Sequence, residues 1–441
     1  MLRIIRILTI LIGLLLVTSI AVRVEATSSR IDVLTIKGTI NPVLIEYISY
    51  GIDQAEEEGA LAVIIQLDTP GGLDTSMRDI IQEIVNSPIP VVVYVSPAGA
   101  RAASAGAYIT LSAHVAVMAP NTAIGAATPV AMGGNGEAAM SDEMKAKIIN
   151  DAAAYMRDIA ESHGRNAEWA EKAVREGVSA TSQEALELNV IDMVAPDLNT
   201  LIAQLDGRQV TLLDGSVVTL NTQDATVNHV KMRWYKDFLY AIADPNIAYI
   251  LLSLAMLGIT VEIFNPGLIF PGVAGGISLL LAFYSLGVLP VNYAGVLLIV
   301  LAFGLFIAEV LTTTFGLFTA GGVISLVIGS LILFKGASPV FQVDPWLIAI
   351  VTISIASLFA FVISRIIAAH RRQAKTGREE LAGKTVVVKE ALDPEGTVFF
   401  KGERWTALSE KGRVEAGEEV IINKVDGLTL YVIKKQKKGG K

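Results

Sequence analysis

Between Ile247 and Ala369 the chain is almost unbroken apolar sequence, and that run constrains its fold more than any other feature. It divides into five segments, near Ile247–Phe264, Leu268–Leu289, Tyr293–Leu311, Leu317–Phe334 and Trp346–Ala368. Each approaches the ~20 residues that cross a bilayer as a helix, so residues 247–369 are expected to form an α-helical transmembrane bundle of about five helices. The run also accounts for a hydrophobic content of 52%, which is high for a soluble chain. Gly272–Gly276 and Gly321-Gly322 allow close helix packing, or a bent or re-entrant path. Glu262 and Glu309 lie near segment ends and read as interfacial. Arg365, His370, Arg371, Arg372, Lys375 and Arg378 close the last segment and favour the cytoplasmic side there. With five spans, the domain before the bundle lies outside the cytoplasm and the domain after it inside. With four spans and a re-entrant loop, both would share a side.

The flanks have ordinary soluble composition. Arg3 and Arg6 precede an apolar run from Ile7 to Val22, then Val24-Glu25-Ala26 and a polar stretch. That order reads as a cleaved signal peptide over 1–26, with an uncleaved anchor as the alternative. From 31 to 225, short Val/Ile-rich runs (Ile31–Ile36, Leu61–Leu67, Val91–Ser96, Val115–Ala119) alternate with helical patterns at Val43–Glu58 and Thr75–Asn86. Such alternation predicts an α/β domain on a mainly parallel sheet. Leu201–Asn221 reads as a short strand pair turning at Asp214-Gly215, and 226–246 as an interfacial connector with Lys231, Arg233, Lys236 and aromatics. Residues 380–435 carry five short strands separated by Gly-containing turns, which suits a small all-β barrel of the OB type.

Several chemistries are excluded early. There is no cysteine, so neither a disulfide nor a thiol nucleophile is available. His114, His163, His229 and His370 show no metal-ligand spacing, and no metal or cofactor is expected. A net charge of −8 argues against general nucleic-acid binding.

Three segments of the first domain could carry chemistry. Asp68-Thr69-Pro70-Gly71-Gly72 follows a buried strand, and paired glycines there let backbone N–H groups approach a ligand. The bland reading is a strand-to-helix turn. In Gly99–Ala107, small residues crowd Ser104 at a strand–helix junction, where free amides and the helix dipole favour an oxyanion. The alternative is an N-cap on a close-packed helix. A serine needs a base, and His114 follows on the same helix at a spacing that points it elsewhere. A lysine can serve instead. Ser141–Gly164 reads as a long helix capped by Ser141 and carrying Lys145 and Lys147, which helical phase does not separate. A surface pair of Lys147 with Asp151 at i+4 is the bland alternative.

In their order along the chain these segments resemble the ClpP/crotonase superfamily and, more closely, the long form of the NfeD family, the membrane-bound serine proteases of the stomatin operon. Asp68–Gly72 is similar to that family's glycine loop. Ala102-Ala103-Ser104-Ala105-Gly106 matches its nucleophile motif, and Tyr108 through Ile124-Gly125-Ala126 follows without a gap. The resemblance implies Ser104 as nucleophile, with backbone oxyanion donors from Gly71 and Ala105 and Gly72 as a further candidate. The histidine of ClpP aligns with Ala127, so a Ser-His-Asp triad is absent. The family's Lys-x-x-Asn pattern with a later tyrosine matches Lys147-Ile148-Ile149-Asn150 and Tyr155, which selects Lys147 over Lys145, although the loop Ala131–Met140 departs from the family pattern. Gly164–Ala167 and Val190–Asp192 also look like the family.

The implied function is a membrane-anchored serine endopeptidase with a Ser–Lys dyad, cleaving apolar segments of membrane-associated proteins. Its partners would be a stomatin- or flotillin-like membrane protein, a peptide substrate, membrane lipid and further copies of itself as a homo-oligomer. A non-enzymatic scaffold organising the same partner is the main rival. Acyl-CoA chemistry of the crotonase kind does not suit a secreted domain.

Overall fold

The computed structural model describes residues 29–130, 141–312, 316–334, 339–370 and 381–435. The expected signal peptide, the loop Ala131–Met140 and the basic residues 371–378 lie outside the described residues.

Alternating Val/Ile runs and amphipathic helices build the first domain. Strands β1 (Arg30–Lys37), β2 (Ala62–Asp68), β3 (Val91–Val95), β5 (Val115–Met118), β8 (Met193–Val194) and β11 (Thr226–His229) form one sheet in the order β11–β1–β2–β3–β5–β8. All of its pairings are parallel. β3 is buried at every position, as a parallel strand covered on both faces must be. Helices Pro42–Glu57 and Asp74–Val85 pack with Ala105–Leu111 and Asp142–Ser162 in the core on one face. A smaller sheet of β4 (Arg101–Ala103), β6 (Ala123–Gly125) and β7 (Ser179–Thr181) sits beside the strand ends. β9 (Gln209–Thr211) and β10 (Val217–Thr219) form a separate antiparallel pair. This is the expected α/β layer on a parallel sheet.

Three local expectations need correction. Leu201–Asn221 is not only a strand pair, because Leu198–Leu205 is a helix. Its apolar residues Leu198, Leu201, Ile202 and Leu205 repeat at helical spacing, and Asp197 caps it by accepting from Thr200 N at 2.8 Å. The connector does not begin at 226, since β11 extends the main sheet alongside β1. His114 is not on the serine's helix, which ends at Leu111.

Among the described residues the apolar region holds four helices long enough to cross a membrane: Pro245–Phe264, Ile269–Val288, Tyr293–Leu311 and the stretch Pro345–Arg365 of the last helix, Pro345–His370. Leu317–Ile332 is equally apolar but has only 16 residues, short of the length assigned to a fifth span. Consecutive helices pair as hairpins through glycines: a Cβ on Gly258 would lie 2.8 Å from Gly275 Cα, and one on Gly295 2.6 Å from Leu333 Cα. Glu309 is not an interfacial charge in water: it is 4% exposed, and its carboxylate accepts from Gly316 N at 2.8 Å and Thr319 N at 3.1 Å, capping the short helix. Glu262 makes a similar turn contact, accepting from Gly267 N at 3.3 Å.

The C-terminal strands β12 (Thr385–Glu390), β13 (Glu395–Phe400), β14 (Glu403–Ser409), β15 (Glu419–Asp426) and β16 (Thr429–Lys434) close into a barrel in the order β12–β13–β14–β16–β15. Alternate residues such as Val386, Val388, Val420, Ile422, Leu430 and Val432 fill its core. Five strands closed in this way are the OB-like barrel expected.

Candidate active site

The glycine loop leaves β2 at Asp68 and is immediately bound on two sides. Thr69 N donates to Arg101 O at 2.8 Å and Ala103 N donates to Thr69 O at 3.1 Å, which draws β4 along the loop. On the other side Ile40 N donates to Gly71 O at 2.9 Å, and Leu73 N donates to Ile40 O at 3.0 Å. Gly71 has φ +117, and a Cβ there would stand 2.8 Å from Ser104 Cβ. A Cβ on Gly72 would stand 2.1 Å from Ile40 O. Only glycine lets the loop come this close at both positions.

Ser104 ends β4 and precedes helix Ala105–Leu111, with φ 51 and ψ −116. Such a backbone costs a non-glycine residue about 1–3 kcal/mol and persists only where its surroundings over-determine it. Ser104 N donates to Gly125 O at 3.0 Å, while Gly106 fits against Thr69 Cγ2 where a Cβ would be 2.5 Å away. The hydroxyl makes no capping bond, so the bland N-cap reading of Ser104 does not hold. Ser104 instead lines a small pocket of about 80 Å³ with Gly72, Ala105, Tyr108 and Ala127.

The amides around this pocket are unequal. Gly71 N–H donates to Thr69 Oγ1 at 3.1 Å, so the expected donor at Gly71 is already engaged. Gly72 N–H has no hydrogen-bond partner among the described residues, and Ala105 N–H is the first of its helix and lacks one by geometry. Both residues line the pocket, whereas Gly71 does not. Thr69, which sets this difference, was not singled out from sequence. Its hydroxyl next to a paired glycine was the available signal.

The lysine helix, Asp142–Ser162, is capped by Ser141 Oγ accepting from Met144 N at 3.2 Å. Lys147 is exposed and lines an open groove of about 550 Å³ with Leu73, Arg78, Ile148 and Asp151. Asp74, Pro129 and Val130 line both this groove and the serine pocket, so the two are continuous. Lys145 lines neither. No hydrogen bond joins Ser104 to Lys147 among the described residues. The surface pair of Lys147 with Asp151 is absent as well: Asp151 accepts from Arg78 Nη2 at 2.8 Å.

Arg78 is a tie that sequence reasoning missed, because its partner lies 73 residues away. It also donates through Nε to Asp74 at 3.0 Å, and its guanidinium lies 4.5 Å from the centre of the Tyr155 ring. Tyr155 stacks on Tyr108 of the serine helix with centroids 6.1 Å apart, and Tyr108 Oη donates to Ala152 O at 3.1 Å. Burial, with Asp74 adding, raises Tyr108 far above the usual phenol range, so this donor keeps its proton.

Further back, Arg165 is 2% exposed; it donates to Leu111 O at 2.6 Å and Ala113 O at 2.9 Å and pairs with Asp192 at 2.6 Å. It thereby holds the C-terminal end of the serine helix. His114 accepts from Val91 N at 3.1 Å through Nδ1, and burial, helped by His163 and Arg165, pushes it down to about 4. Its role is structural, consistent with its dismissal as the base.

Three family profiles match the chain in order. They are the NfeD1b N-terminal domain at residues 30–230, the NfeD integral membrane domain at 246–365, and the NfeD-like C-terminal, partner-binding domain at 378–434. The membrane-bound protease PH1510 of Pyrococcus horikoshii is 40% identical over 413 residues, covering 92% of this chain and 93% of its own. The membrane protein NfeD1b of Bacillus subtilis is 30% identical over 455 residues, covering 96% and 97%. Among solved structures, the 1510-N membrane protease specific for a stomatin homolog, from Pyrococcus horikoshii, is 36% identical, covering 49% of this chain and 99% of that one, with a TM-score of 0.43.

Proposed function

Because this multi-pass membrane protein belongs to the NfeD family in its long form, we propose that it is a membrane-anchored serine endopeptidase in which Ser104 and Lys147 act as a dyad. Its substrates are apolar segments of membrane-associated proteins, and its partner is a stomatin- or flotillin-like protein. A relative 40% identical over almost the whole chain carries the name of a protease, which supports the reaction class. The observation that carries the reading is Ser104 itself, held at φ 51 with an uncommitted hydroxyl beside the amides of Gly72 and Ala105.

In this mechanism Ser104 Oγ attacks the scissile carbonyl while the Lys147 amine takes its proton. The tetrahedral oxyanion is received by Gly72 and Ala105 N–H, donors already fixed when charge develops. Lys147 returns the proton to the leaving amine, and an acyl-enzyme remains on Ser104. Lys147 then activates a water that hydrolyses the ester. Lysine and serine need to approach only in the substrate complex, since catalytic hydrogen bonds commonly tighten there. The apolar lining of the groove by Leu73, Pro129, Val130, Ile148 and Ala152 supports a preference for apolar residues. With the 16-residue helix Leu317–Ile332 taken as a shortened fifth crossing, the peptidase layer is assigned to the outer side, where membrane lipid flanks it, the barrel to the cytoplasm, and the working assembly to a homo-oligomer.

The test uses the full chain in liposomes with fluorogenic apolar peptides. Ser104→Ala and Lys147→Ala should each abolish detectable cleavage, while Lys145→Ala should stay within about twofold of the parent. Cleavage by Ser104→Ala at the parental rate would sink the peptidase reading. A dead Lys145→Ala beside an active Lys147→Ala would move the base by two residues. No cleavage by the parent, with partner association intact, is the outcome a scaffold predicts.

A further inference from the structure

We propose that Tyr240, on the helix that joins the peptidase layer to the membrane bundle, is a positioning residue for the oxyanion loop and ties that loop to the membrane anchor. The proposal rests on the Ser104 reading above.

Tyr240 belongs to helix Trp234–Ile242, which ends next to the first membrane helix, Pro245–Phe264. Asp244 caps that membrane helix by accepting from Asn246 N at 2.8 Å, and Ser285 of the second membrane helix donates to Ile242 O. The connector helix is therefore fixed to the bundle at its C-terminal end. Its opposite face is fixed to the peptidase. Lys236 pairs with Glu46, and Tyr240 Oη donates to Lys37 O at 3.1 Å and Thr39 O at 3.2 Å, sharing one proton between two carbonyls. These carbonyls flank Gly38, which has φ +118 and lies so close that a Cβ would stand 2.6 Å from Tyr240 Oη. Burial, with the charge of Asp244 adding, pushes the phenol up to about 12, so it remains a donor through the neutral range.

The same turn is the seat of the glycine loop. Gly38 N donates to Asp68 O at 2.9 Å, Ile40 N donates to Gly71 O at 2.9 Å, and Leu73 N donates to Ile40 O at 3.0 Å. Gly72 sits between the last two bonds and is pressed against Ile40 O, 2.1 Å from where its Cβ would be. Its own N–H is uncommitted, and its direction is set because Ile40 N holds the carbonyl of the same peptide, Gly71 O, while Ile40 O holds the N–H of the next. One turn, residues 37–40, thus has the membrane connector's hydroxyl on one side and the proposed oxyanion donor on the other. A displacement of that turn acts on Gly72 directly, whereas Ser104 N stays tied to Gly125 O on the far side of β4. A small error in the position of a donor costs transition-state binding and leaves ground-state binding intact.

Tyr240→Phe in the full chain, in liposomes, removes the donor and keeps the ring. A neutral hydrogen bond of ordinary strength predicts a kcat about five- to tenfold lower, with KM within about twofold. Affinity for a peptide boronate, which forms a tetrahedral adduct on Ser104, should fall by the same factor. Gly38→Ala presses on the same hydroxyl from the other side and should reproduce the split, which also decides the matter if Tyr240→Phe fails to fold. Lys236→Gln breaks the neighbouring connector contact and should leave boronate affinity unchanged. Parental kcat and boronate affinity in Tyr240→Phe would overturn the proposal, as would a loss appearing in KM or thermal stability alone. A parent that cleaves no better than Ser104→Ala defeats the underlying peptidase reading instead, and the proposal with it.

Discussion

Ser104 is held from three sides by β4, Gly125 and the glycine loop, whereas Lys147 stands near the start of its helix with its side chain in an open groove. The serine side is built from backbone hydrogen bonds and from glycines that admit no Cβ, so its geometry is set by the fold itself. The lysine helix packs into the core from Ala152 onward, but the turn that carries Lys147 is held through exposed side chains: Arg78, Asp74 and Asp151 are 37%, 65% and 72% exposed. Contacts of that kind contribute only a few tenths to 1 kcal/mol each. On the proposed roles, the difference teaches that nucleophile and oxyanion donors are preorganised together, while the base is the part that substrate binding would bring into register. Substitutions on the two sides should therefore fail in different ways.

The largest effect is expected behind the serine. Arg165→Met leaves Leu111 O and Ala113 O without their donor and Asp192 with Arg208 at 3.0 Å and Ala116 N at 2.7 Å as its remaining partners. Breaking a buried pair of this kind costs about 3–5 kcal/mol. The melting temperature of the peptidase layer in detergent should drop sharply, with activity lost in step with folding. An unchanged melting temperature would show that the serine helix is not held from this end. Gly72→Ala comes next. Its Cβ would collide with backbone at Ile40, which has no freedom to move aside. Loss of one oxyanion donor costs about 10²–10³ in kcat, and that loss should appear without unfolding by circular dichroism. If Gly72→Ala kept parental kcat while Gly71→Ala lost it, the donor assignment would revert to Gly71.

The same frame has a pH signature. His114 is held neutral by burial, down to about 4 from an ordinary 6.5. The unfolded chain thus binds more protons between pH 6.5 and 4, and stability falls as pH falls through that window. Above pH 6.5 the term is constant. Its full size is on the order of 3 kcal/mol. His163 is depressed by burial in the same direction, so His114→Gln should flatten the thermal stability profile between pH 6.5 and 4 only in part. A profile identical to that of the parent would mean that His114 is protonated without cost.

The sequence-based reading was good where one periodicity governs a segment. The alternation of Val/Ile runs with helical patterns, the apolar bundle and the five barrel strands all appear in place. It missed Leu198–Leu205, where four apolar residues at helical spacing were overridden by a turn signal at Asp214-Gly215 downstream. It missed β4 because Arg101–Ala103 is too short and too poor in β-branched residues to look like a strand; the register with β6 makes it one. Of the site, Ser104 was visible because small residues crowd it. Which glycine keeps a spare amide was not, since that depends on the rotamer of Thr69. Lys147 could not be separated from Lys145 by helical phase, because the face of a helix becomes known only through what it packs against. Here that is Tyr108, Arg78 and the groove.

The smallest effect tests the lysine side, through Arg78→Met. The apolar replacement keeps some packing on Tyr155 and removes both ion pairs, so stability should change by less than about 1 kcal/mol. Its consequence lies in the carboxylate that Arg78 now occupies. Freed Asp151 stands one helical turn after Lys147, the spacing at which carboxylate and ammonium pair. Asp74, across the groove, is freed by the same substitution, whereas Glu143, one turn before the lysine, is untouched. A paired lysine must give up its partner before accepting the Ser104 proton, so the variant should lose about two- to fivefold in kcat. Adding Asp151→Asn and Asp74→Asn removes both freed charges while leaving Arg78 absent. Return of the parental kcat in that variant assigns the effect to charge. A kcat that stays low assigns it to the position of the lysine helix, and makes Arg78 and Tyr155 the elements that bring the proposed base to the serine.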